Sequence, residues 1–239
     1  MATLKENDFA QITYTGTIKG EGIVFDTTDE KVAKDNGLHN PQASYGPLTI
    51  CIGKRQVLSG LDKALIGKDV GHEFTIDIAP EDGFGRKSAK LIHLIPTGRF
   101  RKEQIQPYPG LQVNIDNQAG TIKTVSGGRT LVDFNHPLAG KELAYTVTIT
   151  RLVTEPKEKL EGFMKQSLAI HGTEIAVEGN SATITLAVEI PEEIQKALSQ
   201  QIKEAIPELA VITFAEKEAD TKKDVGDPSK NLNRGSTQE

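Results

Sequence analysis

The sequence predicts an α+β protein made of more than one compact unit. Between Leu48 and Gly85, apolar residues first alternate with polar ones, then recur at helical spacing, then alternate again. This pattern predicts a strand, a short helix and a second strand. Another alternating strand, Leu143 to Thr150, follows a middle segment rich in turn residues. Helices mixed with antiparallel strands in this order are typical of the α+β class.

Length and composition favour several small units. The chain has 239 residues, of which 37% are hydrophobic and 5% aromatic, so its cores are expected to be small and aliphatic. The formal net charge is −5 and no stripe of Lys or Arg stands out, which argues against a nucleic-acid partner. The single cysteine, Cys51, excludes an internal disulfide and is expected to be a small buried residue.

The chain lacks the marks of secretion and of membrane insertion. Its first residues contain no apolar signal region, and no segment approaches the ~20 apolar residues of a membrane span. We therefore expect a soluble cytoplasmic protein with no membrane partner.

The N-terminal segment predicts a hairpin followed by a long connection. Residues 10–15 alternate between apolar and polar side chains, residues 19–22 form a turn, and residues 23–25 pair back. Residues 27–47 are a polar excursion whose first part is expected to form a helical turn or two. An excursion of this length inside a compact domain is usually functional or mobile.

One short helix organises this part of the chain. Leu58, Leu61 and Leu65 recur at helical spacing, and Gly67 is expected to end the helix. If this helix packs across a concave sheet, its apolar side chains and those of the sheet form an apolar cup at the open end of the sheet. A polar catalytic cleft is not expected there.

The middle segment predicts a small antiparallel insert. Residues 88–100 predict a strand that leaves the first unit, and residues 113–115, 120–122 and 130–132 predict short strands separated by turns. Because the strand that begins at Leu143 completes the first core, the middle unit is an insertion. Its few apolar side chains predict a thin core.

The last part of the chain predicts a separate α+β unit. A helix begins near Pro156 and is expected to end at Gly172, and a hairpin turns at residues 179–180. A second helix starts after Pro191, and residues 211–214 predict a final strand.

Four ordered motifs resemble the FKBP-type peptidyl-prolyl isomerases over roughly residues 4–153. The first two are VLSGLDKALIGKDVGHEF and IAPEDGFG. Residues 12–26, ITYTGTIKGEGIVFD, are similar to the family's Tyr-Thr-Gly strand and Phe-Asp pair, and residues 135–149, NHPLAGKELAYTVTI, to its closing strand. Residues 88–133 lie where the SlyD-like branch has an inserted flap domain. The segment after residue 156 is similar to the C-terminal extension of long archaeal members.

The resemblance implies an antiparallel half-barrel sheet wrapped on a short helix. The predicted units are an isomerase domain (1–87 and 134–154), an inserted flap domain (88–133), a C-terminal α+β domain (155–216) and a charged, disordered tail (217–239). The implied partners are unfolded or partly folded proline-containing polypeptides, which the insert binds in a chaperone-like manner. The C-terminal domain could also join two copies of the chain into a homodimer.

The resemblance also implies a pocket for the proline ring. Its predicted substrate-binding residues are Phe25, Leu48, Val57, Leu58, Leu61, Phe84 and Tyr145. Tyr14 and Asp26 are the predicted catalytic residues. Asp26 either receives a hydrogen bond from Tyr14 or interacts with the carbonyl group that turns during rotation about the X-Pro bond. Leu61 stands where many members have Trp, and Phe84 where many have Tyr. These departures reduce the aromatic area of the pocket and remove one hydrogen-bond donor, which argues against tight binding of macrolides.

Each of these residues also has an ordinary structural interpretation. Taken singly, Tyr14, Phe25 and Leu61 are more often core residues, and Asp26 is more often a turn or helix-cap residue. The pocket therefore depends on the joint order of the motifs. The five histidines have no metal-ligand spacing and no Gly-rich phosphate loop is present, so we expect no metal and no cofactor.

The competing function is a holdase or assembly module with a vestigial isomerase pocket. The missing hydroxyl at Phe84 and the extra C-terminal unit motivate this alternative. In either case, exposed apolar residues of the insert would bind clients. The candidates, some of which must instead form the core of the insert, are Phe100, Ile105, Tyr108, Leu111 and Val113.

Overall fold

The computed structural model describes residues 2–168, 173–188 and 190–216. The strands are β1 (Phe9–Ile18), β2 (Val24–Thr27), β3 (Leu48–Cys51), β4 (Glu73–Ile78), β5 (Ile92–Pro96), β6 (Gln112–Ile115), β7 (Gln118–Ser126), β8 (Arg129–Asp133), β9 (Leu143–Leu152), β10 (Glu174–Glu178), β11 (Ser181–Leu186) and β12 (Val211–Glu216). The α-helices are α1 (Glu30–Asp35), α2 (Ser59–Leu65), α3 (Thr97–Lys102), α4 (Pro156–Leu168) and α5 (Glu192–Ala205). Within the described ranges, no helix is long and apolar enough to cross a lipid bilayer. The predicted helix end at Gly172 and the predicted tail, 217–239, lie outside the described residues.

The first sheet has five strands in the order β2-β1-β9-β4, with β3 also paired to β1. All of its pairs are antiparallel. Strand β9 lies between β1 and β4, so the strand that follows the middle segment is central to the first sheet. Antiparallel sheets combined with few helices confirm the predicted α+β class.

Helix α2 packs on this sheet through its apolar side. Leu61 and Leu65 are fully buried in a cluster with residues of the sheet. Gly60 allows the close approach, because a Cβ at this position would lie 2.6 Å from Ile78 Cγ2. The buried carboxylate of Asp62 accepts hydrogen bonds from the backbone N–H groups of Gly53 and Arg55, both at 2.9 Å. These two bonds join α2 to the loop that follows β3.

The middle segment forms a four-stranded sheet in the order β5-β8-β7-β6. Its buried core contains Ile95, Phe100, Val113, Ile115, Ile122 and Val132. Phe100 and Val113 are therefore the candidates that form the core of the insert and not its exposed surface, whereas Tyr108 is 57% exposed. Residues 88–100 are also not one strand, since β5 ends at Pro96 and helix α3 follows and turns Phe100 inward.

The C-terminal segment forms a three-stranded sheet in the order β10-β11-β12. Strands β11 and β12 are parallel, which requires a crossover, and α5 provides it. The core of this unit is shared with the first sheet, because Phe9, Cys51 and Val153 are buried in the same cluster as α4, α5 and the three strands. Cys51 is thus a small buried residue, as predicted.

Candidate active site

The predicted pocket residues lie together on the face of the first sheet that α2 covers. One hydrophobic cluster contains all eight of the apolar and aromatic residues, namely Tyr14, Phe25, Leu48, Val57, Leu58, Leu61, Phe84 and Tyr145. Leu61 is 0% and Tyr145 2% exposed, so these two form the base of the cluster. The other six are half-buried and present an apolar surface above that base.

Three aromatic rings form one side of this surface. The Phe25 ring stands edge-on to Tyr145, with centroids 5.7 Å apart, and to Phe84, with centroids 6.0 Å apart. Gly16 makes room for them, since a Cβ there would lie 2.9 Å from Phe25 Cζ and 3.0 Å from Tyr145 Cε1. Gly16 lies within β1, where it pairs with Asp26 of β2 and with Tyr145 of β9. Its missing side chain permits the aromatic packing.

The polar edge of the pocket is the pair Tyr14 and Asp26. Tyr14 Oη donates a hydrogen bond to Asp26 Oδ2 at 3.0 Å. Burial, and then the neighbouring Asp26 carboxylate, raise the pKa of Tyr14 well above its usual range. Tyr14 therefore stays a protonated donor at neutral pH. Asp26 does not cap α1, because the side chain of Asp29 accepts the capping hydrogen bonds.

The second buried phenol of the pocket is also neutral. Burial, and secondarily the Asp26 carboxylate, raise the pKa of Tyr145 above its usual range. Two neutral phenols and one carboxylate surrounded by apolar side chains form a site with little charge. Such a site can bind a neutral ring and a neutral peptide group.

An open cavity of about 540 Å³ adjoins the polar edge. Its lining side chains come from β1, from β2 and the residue after it, from α1 and the connection that follows, from β3 and from the end of α4. They are Tyr14, Phe25, Asp26, Thr27, Thr28, Ala33, Leu38, Asn40, Ala43, Ser44, Tyr45, Leu48, Lys165 and Gln166. The apolar surface and this cavity share Tyr14, Phe25 and Leu48, so together they form one continuous candidate site.

A different groove, of about 640 Å³, lies next to this cavity and shares Tyr14, Thr28 and Tyr45 with it. Thr13 and Thr15 line it, and their side chains alternate with that of Tyr14 along β1. Most of its sheet residues are threonines, namely Thr13, Thr15, Thr146 and Thr148, so its wall is more polar than the aromatic surface around Phe25.

His136 belongs to the site, although sequence reasoning did not assign it there. Its imidazole stacks on the Phe84 ring, with centroids 4.4 Å apart and 3° between the planes. The backbone N–H of Leu138 is 3.2 Å from His136 Nδ1, which places an acceptor at that nitrogen and the ring proton at Nε2. No spacing motif signals this contact, because residues 84 and 136 meet only when the chain returns from the insert.

Metal-binding side chains are not grouped in the part of the chain that the structure describes. Within the described ranges, there is no cluster of three or more His, Cys, Asp or Glu residues that could hold a metal ion. The chemistry available at the site is therefore that of apolar surface, phenol, carboxylate and imidazole.

Two family models match this chain. The model described as FKBP-type peptidyl-prolyl cis-trans isomerase matches residues 2–99. The model described as FKBP26, IF domain matches residues 93–138, which include β6, β7, β8 and most of β5.

Several known proteins are similar to the chain. It is 34% identical over 146 residues to the short-type peptidyl-prolyl cis-trans isomerase of Methanocaldococcus jannaschii, a match that covers 61% of this chain and 92% of that protein. It is 30% identical over 159 residues to the FKBP-type peptidyl-prolyl cis-trans isomerase SlyD of Vibrio cholerae, covering 64% of this chain and 71% of that one. The SlyD of Helicobacter pylori is 38% identical over 107 residues, covering 43% and 57% respectively.

Proposed function

This chain belongs to the FKBP-type peptidyl-prolyl cis-trans isomerases of the SlyD-like kind, and we propose that it accelerates X-Pro rotation non-covalently in the apolar pocket around Phe25. Rotation about a peptide bond has a barrier of ~18–20 kcal/mol, because amide resonance is lost in the twisted state. Uncatalysed X-Pro isomerisation consequently takes tens to hundreds of seconds. An enzyme speeds it by binding the twisted amide more tightly than the planar one.

The observation that supports this proposal most strongly is the set of edge-on rings above a buried aliphatic base. Phe25, Phe84 and Tyr145 offer an aromatic surface of the right polarity for a pyrrolidine ring. A twisted amide has less charge separation than a planar one, so it loses less hydration in a dry pocket. Leu61, in the place of a larger aromatic base, still excludes water because it is fully buried.

Asp26 would supply the main electrostatic contribution. The hydrogen bond from Tyr14 holds the Asp26 carboxylate at the edge of the pocket. In the twisted state the carbonyl of the residue before proline turns, and a fixed carboxylate can stabilise the positive end of its dipole. Phe84 has no hydroxyl, so Asp26 and Tyr14 are the polar groups on which rotation would depend.

Exchange NMR on a short X-Pro peptide tests this proposal. We expect the full chain to accelerate cis-trans exchange and Asp26→Ala to lower kcat/KM at least tenfold, which corresponds to about 1.4 kcal/mol of transition-state stabilisation. Asp26→Asn keeps an acceptor for the Tyr14 hydroxyl but removes the negative charge. It therefore separates the effect of the hydrogen bond from the effect of the charge. Asp77→Ala is the matched control, because Asp77 is an exposed strand carboxylate paired with Lys19. An exchange rate that the full chain leaves unchanged would refute the isomerase function.

Chaperone-like binding of unfolded chains is the second part of the proposal. A groove of about 570 Å³ on the insert is lined by Ile92, Leu94, Ile95, Ile115 and Phe134, among other residues. Leu94 is 53% and Ile92 36% exposed, although both belong to a β-strand. Strand β5 is at the edge of its sheet, so an extended client segment could add to it and place apolar side chains in the groove.

Suppression of aggregation of an unfolded client tests the role of the groove. We expect Leu94→Ser to reduce suppression while kcat/KM on a short peptide stays unchanged, because Leu94 is not among the residues that form the pocket. Ile66→Ser is the control, since Ile66 is 46% exposed at the end of α2. If the chain suppresses aggregation without catalysing exchange, the alternative of a holdase with a vestigial pocket is the correct one.

A further inference from the structure

Helix α4 is attached directly to the strand that borders the pocket. A Cβ at Gly162 would lie 2.6 Å from Thr49 Cγ2 and 3.1 Å from Thr49 O, so the helix backbone rests on β3. On either side of Gly162, Leu160 and Phe163 are buried in the core that includes Phe9. The helix is therefore held against the isomerase sheet by close packing around Gly162.

This attachment brings the end of α4 to the candidate site. Lys165 and Gln166 lie one turn beyond Gly162 and line the same cavity as Asp26 and Leu48. The isomerase domain thus supplies most of the cavity, and the C-terminal domain supplies part of its wall. A polypeptide whose proline occupies the apolar pocket would continue through this cavity.

The charges of the cavity are few. Among its described lining residues, Asp26 is the anion and Lys165 the cation, and the remaining side chains are neutral. Within the described part of the chain, no carboxylate is in ion-pairing distance of the Lys165 ammonium. Lys165 is exposed and can donate three hydrogen bonds, and the half-buried Gln166 can both donate and accept.

We propose that the end of α4 forms a substrate subsite beside the proline pocket, in which Lys165 selects polypeptides with an acidic residue close to the proline. The proposal rests on the isomerase function proposed above. An acidic side chain entering the cavity would be repelled by Asp26, and pairing with Lys165 would more than offset this repulsion. Gln166 would bind a backbone amide of the same segment.

The expected selectivity is modest. Exposed ion pairs change binding by a factor of roughly 1.4 to 5. The negative end of the α4 dipole opposes an anion at this helix end, which reduces the gain further. Because replacing Glu by Lys in the peptide both removes this attraction and adds a repulsion from Lys165, we still expect a two- to fivefold preference for Glu over Lys at low salt, falling as salt screens the pair.

A peptide series that differs in one charge tests the subsite. Glu, Gln or Lys is placed at each of the two positions before and after an X-Pro bond, and kcat/KM is measured by exchange NMR with the full chain. At one of these positions we expect Glu to be preferred over Lys by about two- to fivefold. Lys165→Glu should reverse the order, and Lys165→Gln should remove the preference for Glu and leave only the weak preference for Lys that Asp26 imposes.

The controls separate the subsite from general electrostatics. Lys157→Glu changes the charge of the same helix at its other end, where Lys157 faces Glu161, and should leave the preference intact. Gln166→Ala should weaken binding of all the peptides alike. Equal Glu-to-Lys ratios for the wild type and Lys165→Glu, with isomerisation intact, would overturn the subsite.

The proposed isomerase function can fail separately from this inference. If no peptide isomerises, peptide affinities from chemical-shift titration in the same samples provide the same charge comparison. The subsite is supported if the wild type binds the Glu peptide more tightly and Lys165→Glu reverses this preference. It is refuted if the preference is the same in both proteins.

Discussion

The imidazole of His136 lies parallel to the ring of Phe84, with 4.4 Å between their centroids. Phe84 in turn stands edge-on to Phe25 in the pocket. His136 follows immediately after Asn135, whose side chain joins the two ends of the insert. The loop that brings the chain back from the insert thus supports one wall of the pocket.

Removing the imidazole should loosen Phe84. We expect His136→Ala to lower kcat/KM on an X-Pro peptide by roughly two- to tenfold, because a stacked aromatic pair contributes about 0.5–1.5 kcal/mol. His136→Phe retains a flat ring and should restore most of the activity. His72→Ala is the control, since His72 contacts Phe74 outside the pocket. Full activity in His136→Ala would show that Phe84 needs no support.

Gly162→Ala should destabilise the protein although alanine favours helices. An ordinary Gly-to-Ala change inside a helix gains about 1 kcal/mol. At Gly162 the new methyl group would meet Thr49 at 2.6 Å, and such overpacking costs about 1–3 kcal/mol. Urea unfolding should therefore show a lower midpoint.

The matched control for this change is Gly98→Ala. Gly98 is also in a helix, and among the described residues no atom outside its own helix backbone and chain neighbours lies within 4 Å of an added Cβ. Its unfolding midpoint should stay the same or rise. If both variants are stabilised, α4 does not rest on β3 as closely as described.

Asn135→Ala should loosen the connection between insert and isomerase domain. Asn135 Oδ1 accepts from the Ser88 N–H at 2.8 Å, and Asn135 Nδ2 donates to the Ser88 carbonyl at 3.0 Å. Losing these bonds costs about 1–2 kcal/mol of local stability. The Ser88 amide should then exchange with deuterium roughly tenfold faster.

Asn36→Ala provides the comparison for that experiment. Asn36 Nδ2 donates to the Val32 carbonyl within its own helix turn, so this change is local. It should leave exchange at Ser88 unaltered. Unchanged exchange at Ser88 in Asn135→Ala would mean that other contacts hold together the two segments that connect the insert to the isomerase domain.

The Cys51 thiol should be inert at neutral pH. Burial raises its pKa to about 11, above the usual value of about 8.5. Because the folded protein binds this proton more tightly, the thiol's contribution to stability is fully present below about pH 8.5 and is lost as the pH rises towards 11. Labelling with iodoacetamide at pH 8 should be slow in the folded protein and fast in urea.

Cys51→Ala tests the thermodynamic part of this prediction. Between pH 8.5 and 10.5 the unfolding free energy of the wild type should fall more steeply than that of the variant. Parallel curves, or rapid labelling of the folded protein at pH 8, would contradict a buried, protonated thiol.

Much of the first sheet and its pocket could be predicted from the sequence. Strands β1, β4 and β9 alternate with period two, and that pattern directly identifies one inward face. The pocket residues are spread over residues 14 to 145, and only the order of the motifs connected them. The structure has Tyr14 and Asp26 in hydrogen-bonding contact, whereas their catalytic role stays a prediction.

Contacts between distant segments could not be predicted. Thr49 and Cys51 occupy the polar phase of β3, yet α4 covers them, because Gly162 removes the side chain that would prevent contact. In the insert, residues 91–95 are nearly all apolar, so periodicity does not say which of them face inward. In the structure Ile95 is buried in the core of the insert, whereas Leu94 is exposed.

The central position of β9 constrains the newly made chain on the ribosome. Strands β1 and β4 are synthesised long before β9, which pairs with both of them. At about 5–20 residues per second, β9 is completed roughly six to thirty seconds after β1. The insert, whose four strands are consecutive in sequence, has all of its parts earlier. The insert can therefore fold while the first sheet is still incomplete, and the candidate site, to which Tyr145 of β9 belongs, forms only after β9 has been made.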